Sequence, residues 1–125
     1  MESKVRYTCP PKILWSKRQI RLMRPNSIKS IDNSLFIEDV SLLDAAKKYP
    51  TPFYIYSKEM ILASIDSYLT NIREGDLVCY SVKANSNLAI LKIMAEKGIG
   101  FDVVSGGELF KVLEIGADPQ KIIYS

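Results

Sequence analysis

The spacing of apolar and polar positions changes several times along this chain, and each change marks a predicted element. Leu35-Phe36-Ile37 is a short apolar run that predicts a strand. Ser41, with Asp44 three residues on, predicts an N-cap opening a short helix that stops before Tyr49-Pro50. Pro52 then opens an extended Phe53-Tyr54-Ile55-Tyr56. Ser57 is placed to cap a longer helix, in which Ile61, Ile65, Tyr68, Leu69 and Ile72 recur at helical spacing before Glu74-Gly75-Asp76 turns the chain.

From Leu77 onward the pattern repeats itself. Leu77-Val78-Cys79-Tyr80-Ser81-Val82 is an apolar run long enough for a buried strand. Asn85-Ser86-Asn87 can cap a helix carrying Leu88, Leu91 and Ala95, and Gly98 can end it. The second unit has a strand at Phe101-Asp102-Val103-Val104, then a capping box of Ser105 and Glu108. A helix lined by Leu109, Val112 and Leu113 follows, with a stop at Gly116 before Asp118-Pro119. Ile122-Ile123-Tyr124 starts a third strand. Strands and helices alternating in this way, with near-continuous apolar strands, predict an α/β fold: a parallel sheet covered by helices.

The chain stops at Ser125 before any helix covers that third strand. A closed eight-stranded barrel takes about 250 residues, and an open three-stranded parallel sheet would expose its edges. The expectation is therefore the front part of a larger protein: the first strands and helices of a (β/α)8 TIM barrel, cut after the start of the third strand. Three segments are expected, namely a basic leader without order over 1–33, a strand-helix-strand segment over 34–57, and the incomplete barrel over 58–125.

Composition changes this picture in one respect. The 125 residues are 47% hydrophobic and 25% charged, as in ordinary soluble proteins. The net charge of +3, however, is unevenly spread. Residues 1–30 hold eight basic side chains against Glu2 alone, and residues 31–125 hold nine basic against thirteen acidic, so a +7 leader precedes a −4 body. Pro10, Pro11 and Pro25 break any helical period in the leader. A flexible extension, a targeting peptide and a nucleic-acid arm all fit it. The first fits best, because no aromatics interleave with the charges as a stacking surface requires, and no nucleic-acid partner is expected. No apolar run approaches the roughly 18 residues of a membrane span. With two cysteines and no histidine, neither a disulfide framework nor the familiar zinc spacings are available, and no metal site is expected. Acid-base chemistry falls to Lys, Tyr, Cys or carboxylates, in a reducing, cytoplasmic setting by default.

In βα architectures functional groups gather at the carboxyl ends of the strands, and Lys83 is at such an end. Partial burial there would favour the neutral amine, which can form a Schiff base; a lysine that simply snorkels to solvent fits the position too. Asp102 interrupts an apolar strand, where an unpaired carboxylate is costly, so it needs a partner or a place at the mouth. Ser105-Gly106-Gly107-Glu108 is explained equally by phosphate binding and by helix capping. Gly98-Ile99-Gly100 lacks a third glycine and precedes a strand, so it is no dinucleotide fingerprint.

Tyr80-Ser81-Val82-Lys83-Ala84-Asn85 and Phe101-Asp102-Val103-Val104-Ser105-Gly106-Gly107-Glu108-Leu109 together closely resemble the N-terminal region of diaminopimelate decarboxylases, in the alanine-racemase-like fold type of pyridoxal-phosphate enzymes. The resemblance runs from about Leu35 to the end; the first motif is shared with ornithine and arginine decarboxylases, and the Ser-Gly-Gly-Glu-Leu ending points to the diaminopimelate group. It implies that Lys83 is the catalytic lysine holding pyridoxal 5'-phosphate, that Asp102 lies near the cofactor, and that the whole enzyme is a homodimer converting meso-diaminopimelate to L-lysine and CO2. Another decarboxylase or racemase of the same fold, or a non-catalytic product with a basic interaction leader, are the alternatives. The family's stacking histidine, glycine-rich phosphate site and cross-dimer cysteine have no match here, so the isolated chain is expected to be inactive. The family's β domain is absent too, which would leave the strand near Leu35 without its partner.

Overall fold

The computed structural model describes residues 27–125. Most of the basic leader, with its three competing readings, lies outside the described residues. Two sheets organise the rest: an antiparallel sheet of β1 (Ile28–Ile31), β2 (Ser34–Ile37) and β3 (Val40–Ser41), and a parallel sheet of β4 (Cys79–Ser81), β5 (Gly100–Val103) and β6 (Ile122–Tyr124).

β1 falls within the segment expected to lack order, and it gives β2 the partner that the sequence left it without. Ile28 pairs with Ile37 and Ile31 with Ser34 across a two-residue turn, in which Asp32 and Asn33 take φ of 47° and 62°. Two successive left-handed residues make the turn whose twist suits a hairpin, and Asp and Asn tolerate that conformation best after glycine. On its other side β2 pairs with β3. Ser41 then caps α1 (Leu42–Lys48), its Oγ accepting from the Asp44 N–H, and the helix stops before Pro50 as the pattern predicts.

Glu38 fastens this small sheet to the next helix, α2 (Lys58–Leu69). One of its carboxylate oxygens accepts from Ser57 Oγ at 2.7 Å and from the Glu59 N–H at 2.9 Å, while Ser57 Oγ caps the helix by accepting from the Met60 N–H. A carboxylate at a helix N-terminus also meets the positive end of the helix dipole. α2 ends earlier than its apolar spacing suggests. The Thr70 hydroxyl and the Asn71 amide bond the carbonyls of Asp66 and Ser67, closing the helix before Ile72. Phe53-Tyr54-Ile55-Tyr56 forms neither helix nor strand.

In the parallel sheet the strands stand in sequence order, with Tyr80 opposite Phe101 and Phe101 opposite Ile122. That row, with Val82 and Val103, packs against α3 (Leu88–Glu96) and α4 (Gly106–Glu114). Phe101 is 1% exposed and Leu91, Val103 and Val112 are fully covered. Burying each such side chain contributes about 1.5–3 kcal/mol. Both helices end as the pattern predicts: Gly98 and Gly116 adopt φ of 76° and 75°, and the Ile99 N–H bonds the Met94 carbonyl. β4 is shorter than the apolar run 77–82, because Val82–Ala84 tightens into a 3-10 turn. A second such turn, Pro119–Lys121, leads into β6. Gly100 is required by β6: a Cβ there would stand 2.6 Å from the Lys121 carbonyl oxygen.

The hydrogen bonds from the Glu59 N–H and then Ser57 hold the Glu38 carboxyl below the usual glutamate range. A group depressed on folding stabilises the fold above its unfolded pKa of about 4.3 and loses that contribution as pH falls through its folded value. Glu38→Gln is therefore expected to flatten the acid limb of stability measured by denaturant titration between about pH 5 and 3. An acid limb identical to the parent's would show that this contact carries no linkage.

Candidate cofactor-binding site

Alternation along β4 and β5 divides their residues between two faces. Tyr80, Phe101 and Val103 turn toward the helices, so Ser81 and Asp102, which are directly opposite one another in the sheet, share the other face. Asp102 is the centre of a small polar cluster there. Its two carboxylate oxygens accept from Ser125 Oγ at 2.8 Å and from Ser81 Oγ at 3.4 Å, so each of the three parallel strands contributes a residue at or just past its carboxyl end. This answers the cost of a carboxylate within an apolar strand: the group is hydrogen-bonded and only half-buried.

Lys83 sits just beyond, in the middle of the 3-10 turn that follows β4. Its position allows either partial burial or reach to solvent, and the structure shows the second. The residue is exposed, and among the described residues no hydrogen bond or ion pair engages its ammonium. Val82 beside it is fully buried, which anchors the turn in the core. Beyond the turn, the Asn85 carbonyl accepts from Tyr80 OH at 3.2 Å, and Asn87 caps α3 by accepting from the Ala89 N–H. Lys83 and Asp102 thus occupy the same end of the sheet without touching, the lysine presented to solvent and the carboxylate held by serines.

Cys79 is half-buried in the same strand, beside Gly100. Burial, and secondarily the negative charge of Asp102, push its thiol up from the ordinary cysteine value. That makes it a poor nucleophile, in keeping with its place within an apolar strand. Ser105-Gly106-Gly107-Glu108 forms the N-terminus of α4. Ser105 Oγ accepts from the Glu108 N–H, and the Glu108 carboxylate reaches back to the Val104 N–H at 2.8 Å, one residue before the usual capping-box partner. An apolar groove of about 690 Å³ runs along the free edge of β4 beside α2, lined by Ile61, Ile65, Tyr68, Val78 and Tyr80 and reaching Ala84 next to Lys83.

Ser81 and Ser125 are the site residues that the sequence reading missed. The signal for Ser81 was present: Tyr80-Ser81-Val82 and Phe101-Asp102-Val103 each set one polar residue between two apolar ones, the mark of a strand with a polar second face.

A primary amine that no described residue engages, held at the carboxyl end of a parallel strand at the same end of the sheet as a hydrogen-bonded carboxylate, defines a domain suited to a cofactor carried through a carbonyl group. The donor set fits pyridoxal phosphate in that respect. Residues 59–125 match the family model described as pyridoxal-dependent decarboxylase, pyridoxal binding domain, and the chain belongs to that family. It is 45% identical over 95 residues to the diaminopimelate decarboxylase of Pseudomonas aeruginosa, covering 75% of this chain and 23% of that protein. Against the Vibrio cholerae diaminopimelate decarboxylase it is 44% identical over 97 residues, with the same coverage. The solved diaminopimelate decarboxylase of Methanocaldococcus jannaschii in complex with L-lysine superposes with a TM-score of 0.75 at 33% identity, over 79% of this chain and 24% of that one. The chain thus spans about a quarter of the length of the relatives it matches.

Because burial and Asp102 both disfavour the Cys79 thiolate, its alkylation by iodoacetamide is expected to reach half-rate above the roughly pH 8.5 of a free thiol. Asp102→Asn should lower that midpoint slightly. Mapping the labelled peptides separates Cys79 from Cys9, which lies outside the described residues. A midpoint at or below the free-thiol value would contradict the burial of this strand.

Proposed function

We propose that this chain supplies the N-terminal portion of a pyridoxal-phosphate-dependent decarboxylase acting on meso-diaminopimelate, with L-lysine and CO2 as products. The observation that carries this reading is Lys83, an exposed amine that no described residue engages, on an anchored turn at the mouth of the first parallel strand. Its sequence surroundings are 44–45% identical to diaminopimelate decarboxylases.

Pyridoxal phosphate, when bound, supplies an electron-withdrawing ring that accepts the electron pair left as a carboxylate departs as CO2. The chain's own residues hold and orient it. Lys83 is the residue that would bind its carbonyl carbon, and the buried Val82 with the Tyr80–Asn85 hydrogen bond keeps that amine at the strand mouth. Asp102 contributes fixed negative charge to the same end of the sheet, with Ser81 and Ser125 fixing its orientation. Reprotonation of the reaction centre needs a proton donor placed above that site, and neither Cys79, half-buried within β4, nor Asp102, an acceptor held by two serines, is read as that donor.

The reading extends to a (β/α)8 barrel, which the sequential parallel order of β4, β5 and β6 supports. It extends also to a homodimeric, cytoplasmic enzyme, as the family resemblance implies. In a barrel of that kind the free edge of β4 and the groove beside it would receive the closing strand.

Borohydride reduction of the 125-residue chain with pyridoxal phosphate, followed by peptide mapping, is expected to concentrate the label on Lys83, and Lys83→Ala to abolish that peak. Label spread evenly over the chain's lysines would remove the basis of the assignment. The isolated chain is expected to release no CO2 from meso-diaminopimelate, and turnover by purified material would overturn that expectation.

A further inference from the structure

Lys111 belongs to α4, in the second βα unit, yet its side chain reaches back to the first. Its Nζ donates to Ser86 Oγ at 2.7 Å in a half-buried contact. Among the described residues no carboxylate pairs with it; the ion pairs there are Lys29–Asp39, Lys47–Asp44, Arg73–Asp76 and Lys97–Asp66. A lysine at this helix position can keep its ammonium in water at no cost to the helix. Here it exchanges part of that hydration for a neutral hydroxyl, which is a poor bargain for α4 alone.

The contact has its effect on the other side. Ser86 lies between the turn that carries Lys83 and the cap of α3. The Asn85 carbonyl is held from β4 by Tyr80 OH, and the Asn85 side chain accepts from the Asn87 N–H at 3.0 Å. Both of those ties come from within the first βα unit. Val82 and the Ser81–Asp102 bond tie the start of the turn to β5, and among the described side-chain hydrogen bonds the one from Lys111 ties its far side, residues 84–87, to the second unit. Small displacements of a reacting group are expensive in rate, so the register between the two units matters at the amine.

We propose that Lys111 is a positioning residue for Lys83, acting through Ser86 to hold the turn at Val82–Ala84 in fixed relation to β5. The proposal rests on the reading that Lys83 holds the cofactor. It assigns Lys111 no contact with substrate or cofactor.

The test compares Lys111→Met, Ser86→Ala, the double variant and Lys111→Arg in the 125-residue chain, with two readouts. Backbone amide exchange over residues 84–87 reports the segment without any cofactor. The share of borohydride-trapped pyridoxal phosphate on the Lys83 peptide reports the amine. Lys111→Met and Ser86→Ala are each expected to speed exchange at 84–87 and to lower the Lys83 share about 3- to 10-fold, with the double variant no worse than either single one. Lys111→Arg should restore both readouts, and the thermal midpoint should stay at the parental value. Unchanged exchange in Lys111→Met, additive effects in the double variant, or faster exchange spread over the whole chain would each overturn the proposal. Even labelling in the parent chain would instead overturn the reading of Lys83, and the exchange data separate the two failures.

Discussion

The pleat of β5 is the constraint on which the rest of the structure depends. At the centre of the parallel sheet it puts Phe101 and Val103 beneath α3 and α4, at 1% and 0% exposure, and by the same alternation turns Asp102 to the opposite face. Core and site are thus two sides of one four-residue strand. A slip of one residue in its register would bury the carboxylate under the helices and expose the phenyl ring, so hydrophobic packing itself enforces the position of the polar cluster. Gly100 adds a second restraint, since the backbone at Lys121, where the chain enters β6, passes too close for a side chain.

The site is organised from outside as much as from within. Among the described residues no hydrogen bond or ion pair engages the Lys83 ammonium; its place is set by Val82 in the core, by the tyrosine hydroxyl on the Asn85 carbonyl, and by an ammonium arriving from the next helix. The serines around Asp102 come one from each flanking strand. An exposed amine is available for covalent chemistry, and the segment that follows it carries the hydrogen bonds that give it a fixed address. The small antiparallel sheet stands apart from this arrangement and is joined to it through the Glu38 and Ser57 contacts at the start of α2.

Much of this was legible in the chain's pattern. Ser41, Ser57, Asn87 and Ser105 cap the helices they were expected to cap, and Gly98 and Gly116 end theirs with positive φ, because capping is a local matter of side-chain reach and backbone conformation. β6 occupies the three residues expected of it. Less legible were the events that competing local bonds decide. Thr70 and Asn71 close α2 before its apolar spacing ends, and the turn at Val82–Ala84 takes residues from an apolar run that read as strand. β1 was hidden for a different reason: the basic residues of 1–30 were read as one block, which masked the hairpin signal of Asp32-Asn33.

By itself, the sequence determined the order of the elements from α1 onward, the helix caps, and the places of Lys83 just past one strand and Asp102 within the next, because these depend on periodicity and on contacts within a few residues. Only the tertiary structure decided what those two residues face. Asp102 meets Ser81 and Ser125, 21 and 23 residues away, and Lys111 meets Ser86 across 25 residues. Partners so far apart in the chain are chosen by how strands register and helices pack, which no local pattern specifies. The same packing left Lys83 exposed, deciding between the burial and the reach to solvent that its strand-end position equally allows.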